Sequence, residues 1–157
     1  MTYPGSFISG DVLTASDMNG LPGGVNLGGV RFTESDQTGI TTATDVTGSS
    51  KTITTLAGRA YKFTVRIAID QVTTDGTTAV FLNRGGSDVH YLLQAPLVAA
   101  SGVYILTGVA VDIPGAGSFA YKVRVSTTAG TVTLSHTTSR GYMTIEDIGP
   151  LSWTDTP

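Results

Sequence analysis

Residues 61–70, YKFTVRIAID, decide the fold of this chain. Large apolar side chains occupy every odd position of the stretch, and polar side chains such as Lys62 and Arg66 stand between them. A period of two places one set on the buried face of a β-strand and the other set towards water. The stretch therefore predicts a strand with one core face and one solvated face, with Tyr61 and Phe63 buried.

The same alternation recurs at residues 121–126 and 131–134, and turn signals separate the alternating runs. The strongest turn signal is Asp75-Gly76, because both central residues of a type I′ turn need positive φ and this dipeptide tolerates it. We expect a hairpin there and eight or nine strands in all. Strands of this spacing with no helices between them predict an all-β fold, with two antiparallel sheets packed as a β-sandwich or jelly roll.

The composition of the 157-residue chain agrees with a single all-β domain. Thr, Val, Ile and Gly are abundant, whereas Lys and Glu, which favour exposed helix positions, are scarce. A 40% apolar content with a formal charge of -3 excludes a disordered chain. The absence of cysteine excludes disulfide scaffolds, cysteine zinc sites and thiol nucleophiles. A pI near 5.1 argues against nucleic acid as a partner.

Residues 1–28 are rich in Gly and Pro and differ from the rest of the chain. Residues 14–17, TASD, resemble a capping box and predict one short helical turn within an otherwise extended arm. The arm is too short to bury its own apolar side chains, so we expect it to dock on a partner. The predicted contact residues are Phe7, Val12, Leu13, Met18 and Leu21.

The predicted organisation is an anchoring arm at 1–28, a sandwich domain at 29–150 and a C-terminal tail at 151–157. The first residues lack the charged and apolar regions of a signal peptide, and no run approaches the roughly 20 apolar residues of a membrane span. We therefore expect assembly in the cytoplasm and no membrane partner.

Residues 103–111, VYILTGVAV, are apolar on both faces of the predicted strand. Such a strand is typically covered on one side by the second sheet and on the other by an arm or a neighbouring subunit. The candidate interface residues are Val103, Tyr104, Ile105 and Leu106.

Catalytic and metal chemistry have little support in the sequence. Asp88 and His90 are two apart on one predicted strand and should share a face, but no G-x-S-x-G nucleophile motif accompanies them. A metal site from His90, His136 and either Asp88 or Asp112 stays open as an alternative. Residues 115–120, GAGSFA, match a dinucleotide fingerprint but lack the following helix. We predict no enzyme, no cofactor and no metal.

Exposed aromatic side chains could bind a glycan instead. Tyr61, Phe63 and Tyr121 lie on predicted core faces, which leaves Tyr91, Tyr104 and Trp153 as the possible glycan contacts.

Several segments together resemble the minor structural proteins of tailed bacteriophages. Residues 3–7 (YPGSF) and 10–19 (GDVLTASDMN) resemble the opening motif that is widespread in those proteins, especially in phages of actinobacterial and related hosts. Residues 37–48 (QTGITTATDVTG), 57–63 (AGRAYKF) and 144–150 (TIEDIGP) are similar to stretches of their β-sandwich domain. The opening motif is shared by phage proteins with different positions in the virion.

The resemblance implies a virion protein, assembled in the host cytoplasm and displayed on the particle as a trimer. It would be a capsid decoration or minor capsid protein whose arm binds the major capsid protein or another virion protein. The alternative is an adhesion module on the tail or head that binds host-surface glycan.

Overall fold

The computed structural model describes residues 24–32, 35–137 and 139–150. These residues form β-strands and no helix, so this part of the chain holds no helical membrane span. The strands are β1 (Val25–Arg31), β2 (Gln37–Ile40), β3 (Thr44–Asp45), β4 (Lys51–Thr55), β5 (Arg59–Val72), β6 (Gly76–Arg84), β7 (Ser87–Leu97), β8 (Ala100–Asp112), β9 (Gly117–Thr127), β10 (Val132–Leu134) and β11 (Tyr142–Pro150).

The first sheet is built around β5, the strand that the alternating stretch predicts. One side of β5 pairs along its length with β8. Its other side pairs with β11 near its start and with β10 near its end, and these two strands pair in turn with β1 and β2. Because β8 pairs with no other described strand, it forms one edge of this sheet.

The second sheet is built around β6 and β9, which pair with each other over residues 78–84 and 121–127. The free side of β6 pairs with β7, and the free side of β9 pairs with β3 and β4. All of these pairings are antiparallel, and the two sheets pack face to face as a jelly-roll sandwich. The predicted all-β sandwich is confirmed.

The core between the sheets is formed by the inward-facing apolar residues of both. Tyr61, Phe63 and Tyr121 are all buried, as predicted, and the rings of Phe63 and Tyr121 lie 4.4 Å apart between centroids. The five odd positions of the 61–70 stretch are each 1% exposed or less. At about 1.5–3 kcal/mol for each fully buried large apolar side chain, this strand alone strongly favours the sandwich.

The turn prediction at Asp75-Gly76 is wrong. β5 and β6 belong to different sheets, so this step crosses between the sheets, and the φ of Gly76 is not positive. The tight hairpin instead joins β6 to β7 through Gly85 and Gly86, whose φ values of 58° and 99° fit a type I′ turn.

The first strand begins inside the segment that the sequence assigns to the arm. β1 starts at Val25, and the amide of Gly24 donates to the carbonyl oxygen of Asp147 at 2.6 Å. The predicted helical turn at 14–17 and the tail at 151–157 lie outside the described residues.

Candidate subunit interface and binding surfaces

The edge strand β8 divides the four predicted interface residues between two faces. Tyr104 and Leu106 point inward and pack against the core. Val103 and Ile105 point outward, together with Val109, and are 45%, 54% and 53% exposed. We call these three outward residues the β8 strip. The strip gives the first sheet an apolar outer face along its edge.

The surface beside the β8 strip combines threonines with an arginine that is bonded to a loop. Val109 pairs with Thr64, which in turn pairs with Thr144 of β11. The guanidinium of Arg66 donates to the Arg140 carbonyl at 2.7 Å and to the Ser139 hydroxyl at 2.9 Å. These two hydrogen bonds fix the Arg66 side chain against the loop. A row of exposed apolar side chains on a sheet edge is typical of an association surface.

The inner side of β8 is fixed closely against the second sheet. A Cβ atom at Gly108 would lie 3.0 Å from the Cβ of Leu92 on β7, so the glycine allows the two edge strands to approach. The β8 strip is therefore backed by close packing of β8 on β7.

A buried polar cluster joins β6, β8 and β9 near one end of the sandwich. Asp112 Oδ2 accepts hydrogen bonds from Arg84 Nη1 at 2.6 Å and from the Tyr121 hydroxyl at 2.8 Å. Burial, and then the hydrogen bond to Asp112, raise the pKa of Tyr121 far above its ordinary value. Burial would lower the pKa of Arg84, but its bonds to Tyr121 and Asp112 raise it. The phenol and the guanidinium thus both stay protonated and bind the carboxylate.

The expectation that Asp88 and His90 share a face is wrong. Leu82 pairs with His90 and Asn83 pairs with Asp88, so Val89 is an extra residue that forms a β-bulge. Asp88 binds Arg124 on the outer face of the second sheet, whereas His90 Nε2 lies 3.6 Å from Asp112 Oδ1 on the inner side.

No cluster of three metal-ligating side chains occurs in the described parts of the chain. His136 lies apart from His90, in the loop after β10, with its ring edge-on to Phe32 at 6.0 Å. The strand that follows residues 115–116 is β9, so the apparent dinucleotide fingerprint has no helix N-terminus behind it.

The exposed aromatic surface lies on the second sheet. Tyr91 is 52% exposed, and its ring packs edge-on against Phe81 at 4.9 Å. Its hydroxyl donates to Gln94 Oε1 at 2.7 Å. Phe81 pairs with Arg124, which bridges Asp88 and Asp45. An exposed ring beside amide, carboxylate and guanidinium groups offers stacking and hydrogen bonding together.

The other predicted contacts do not join this surface in the described structure. Tyr104 belongs to the first sheet and faces inward, with its hydroxyl 3.3 Å from the carbonyl oxygen of Val98. Trp153 lies outside the described residues, as do the predicted arm contacts Phe7, Val12, Leu13, Met18 and Leu21.

Sequence reasoning did not single out Val109 and missed the Arg84–Asp112–Tyr121 cluster. The signal for Val109 was present, since Val103, Ile105 and Val109 share the odd positions of one strand. The cluster had no local signal, because its three members come from three strands.

A scan against protein-family models finds no match, and a comparison with curated proteins finds none. Among solved structures, the chain is similar to Eiger TNF from S. frugiperda, with a TM-score of 0.54 and 13% identity over 87% of this chain and 99% of that one. This similarity shows the fold alone.

Two looser similarities have TM-scores below 0.5. A carbohydrate-binding module of Cellvibrio mixtus lichenase 5A, in complex with cellotriose, has a TM-score of 0.38 and 10% identity over 77% of this chain and 97% of that one. A structure of infectious bursal disease virus, Gt strain, has the same TM-score and identity over 77% of this chain and 37% of that one.

Proposed function

We propose that this protein is a non-catalytic structural component of a tailed-bacteriophage virion, a capsid decoration or minor capsid protein that self-associates as a trimer. The observation that carries the proposal is the β8 strip, a row of half-exposed aliphatic side chains on a sheet edge. The resemblance of the N-terminal arm to phage structural proteins supports the assignment to a virion.

The β8 strip favours contact with another protein surface on energetic grounds. Full burial of each aliphatic side chain contributes about 1.5–3 kcal/mol, so the exposed halves of three leave roughly 2–4 kcal/mol to be gained on association. A head-to-tail contact that repeats around an axis buries such a strip on every subunit and closes a ring. A trimer is a small ring of this kind.

The polar cluster around Asp112 supports a structural role. Asp112 is engaged by Arg84 and Tyr121, and the β-bulge at Val89 separates Asp88 from His90. Arg84 and Tyr121 bind the Asp112 carboxylate from two other strands and so hold β6, β8 and β9 together, which is a structural task.

An incorporation assay with particles tests this proposal. Deletion of residues 1–23 leaves β1 intact, so we expect a folded domain that no longer loads onto particles. The variant Leu13→Asp should load poorly for the same reason, and Thr52→Asp, an exposed change on β4, should load normally. Full occupancy by the deleted protein would overturn the anchoring role of the arm.

Glycan adhesion is the second candidate function, and the exposed Tyr91 ring favours it. If it is correct, the protein binds host cell-wall polysaccharide saturably, and Tyr91→Ala reduces affinity at least tenfold. The matched control is Tyr142→Ala, which removes a tyrosine that is 36% exposed on the other sheet. Equal binding by wild type and both variants would exclude Tyr91 as the sugar contact.

A further inference from the structure

An apolar groove of about 300 Å³ lies between β1 and β4, on the side of the sandwich opposite β8. Its walls are formed by Val25, Leu27 and Leu56, together with Thr54. We call it the β1–β4 groove. Val25 is 53% exposed although its side chain lines this concave surface.

Buried polar groups form the floor of the β1–β4 groove. Arg59 Nε binds Asp147 Oδ2 at 2.7 Å, and the two side chains are only 3% and 12% exposed. The Tyr61 hydroxyl accepts a hydrogen bond from the Leu56 amide at 2.8 Å. Burial raises the pKa of Tyr61, so the phenol stays neutral. The floor thus offers acceptor oxygens beneath apolar walls.

Both ends of the described chain lie at this groove. Pro150, the last residue of β11, pairs with Arg59, and Val25 pairs with Asp147. Trp153 follows Pro150 by three residues, a span of at most about 10 Å. It is the only tryptophan in the chain.

We propose that the β1–β4 groove is the docking site of Trp153 from the same chain. A cavity of about 150 Å³ accommodates a benzene ring, so a groove of about 300 Å³ has room for the larger indole ring. A buried indole N–H needs an acceptor, and the Asp147 carboxylate and the Thr54 hydroxyl supply one. The short tether gives an effective concentration in the millimolar range, which favours the chain's own ring over a partner's.

Docking of Trp153 would close the open edge of the sandwich. The ring would cover Val25 and shield the Arg59–Asp147 pair from water, on the side of the sandwich opposite the β8 strip. The C-terminal tail thereby becomes part of the domain and not a free extension. This inference stands independently of the proposed function.

Tryptophan fluorescence of the full-length protein tests the proposal, because Trp153 is the single emitter of its kind. We expect a blue-shifted emission maximum and an acrylamide quenching constant several-fold below that of a free indole, both independent of protein concentration. The variant Val25→Asp should shift the emission to the red and raise the quenching constant at least twofold. The control Val98→Asp should change neither, and both sites are more than half exposed, so folding is expected to persist.

Four results would overturn the proposal. Emission typical of water-exposed indole in the wild type would exclude docking altogether. An emission that turns red on dilution would assign the ring to a second copy. If Val25→Asp and Val98→Asp behave alike, the ring docks elsewhere, and if deletion of residues 1–20 blue-shifts the emission, the arm occupies the groove.

Discussion

Removal of the Asp112 carboxylate is predicted to destabilise the domain more than removal of any surface carboxylate. The Asp112 side chain is 9% exposed and accepts hydrogen bonds from Arg84 and Tyr121. In Asp112→Ala the Tyr121 hydroxyl, on a residue that is 0% exposed, loses the acceptor of its hydrogen bond. Arg84 loses its counter-charge at the same time.

The loss of stability in Asp112→Ala follows from the two bonds that are broken and from the exposure of the groups that form them. Breaking a buried ion pair costs about 3–5 kcal/mol, and hydrogen bonds to a charged group contribute about 1.5–3 kcal/mol each. Arg84 is 27% exposed, so water solvates part of the freed guanidinium and the lower end applies, about 3 kcal/mol. For a domain of this size the melting temperature falls by about 2–4 °C per kcal/mol, or roughly 6–12 °C.

Thermal unfolding followed by circular dichroism measures this shift, and Asp45→Ala is the matched control. Asp45 also pairs with cations, Lys122 and Arg124, but its side chain is 48% exposed, and such surface pairs contribute about 0–1 kcal/mol. The control should therefore melt within about 4 °C of wild type. Equal shifts in the two variants would refute the reasoning that burial sets the strength of the Asp112 cluster.

Two further predictions concern the loop after β10. Burial lowers the pKa of His136, against the opposing charge of Asp36. As the pH falls, His136 therefore binds a proton at a higher pH in the unfolded chain than in the folded one. The stability that this difference contributes is complete above about pH 6.5 and is lost as the pH falls towards the folded pKa. His136→Phe should flatten the fall in melting temperature between pH 7 and pH 5, and an unchanged slope would contradict this origin. Gly141→Ala should lower stability by about 1–3 kcal/mol in urea unfolding, because its Cβ would meet the Phe32 ring and lie 2.9 Å from the Arg66 carbonyl oxygen. An unchanged urea midpoint would show that the loop accommodates the added methyl group without loss of stability, which would contradict the prediction.

The fold could be predicted from the sequence because the alternation of apolar and polar residues is a local signal that recurs in several strands. In the 61–70 stretch the exposed and buried side chains follow the alternation through residue 67. Ala68 departs from it and is 1% exposed, and the Ser135 amide of the loop after β10 donates to its carbonyl oxygen at 2.9 Å. This contact depends on a segment far along the chain, so the residues near Ala68 give no signal of it.

The predicted hairpin at Asp75-Gly76 and the predicted shared face of Asp88 and His90 were wrong for related reasons. Asp75-Gly76 has the composition of a hairpin turn, but the register of β6 with β9 places the next strand in the other sheet. Likewise, Asp88 and His90 have the spacing of a shared face, and a single unpaired residue, Val89, reverses it. Sequence spacing gives the faces of a regular strand and cannot show where a strand is bulged.

The central claim is that the β8 strip is a subunit interface, and multi-angle light scattering of the purified protein at micromolar concentration tests it most directly. The account predicts a wild-type mass of about three times the 16.2 kDa chain. Ile105→Asp, which would place a carboxylate in the contact, should be a monomer, and Tyr91→Asp on the other sheet should keep the wild-type mass. A monomeric wild type, or an Ile105→Asp variant with unchanged mass, would contradict the account.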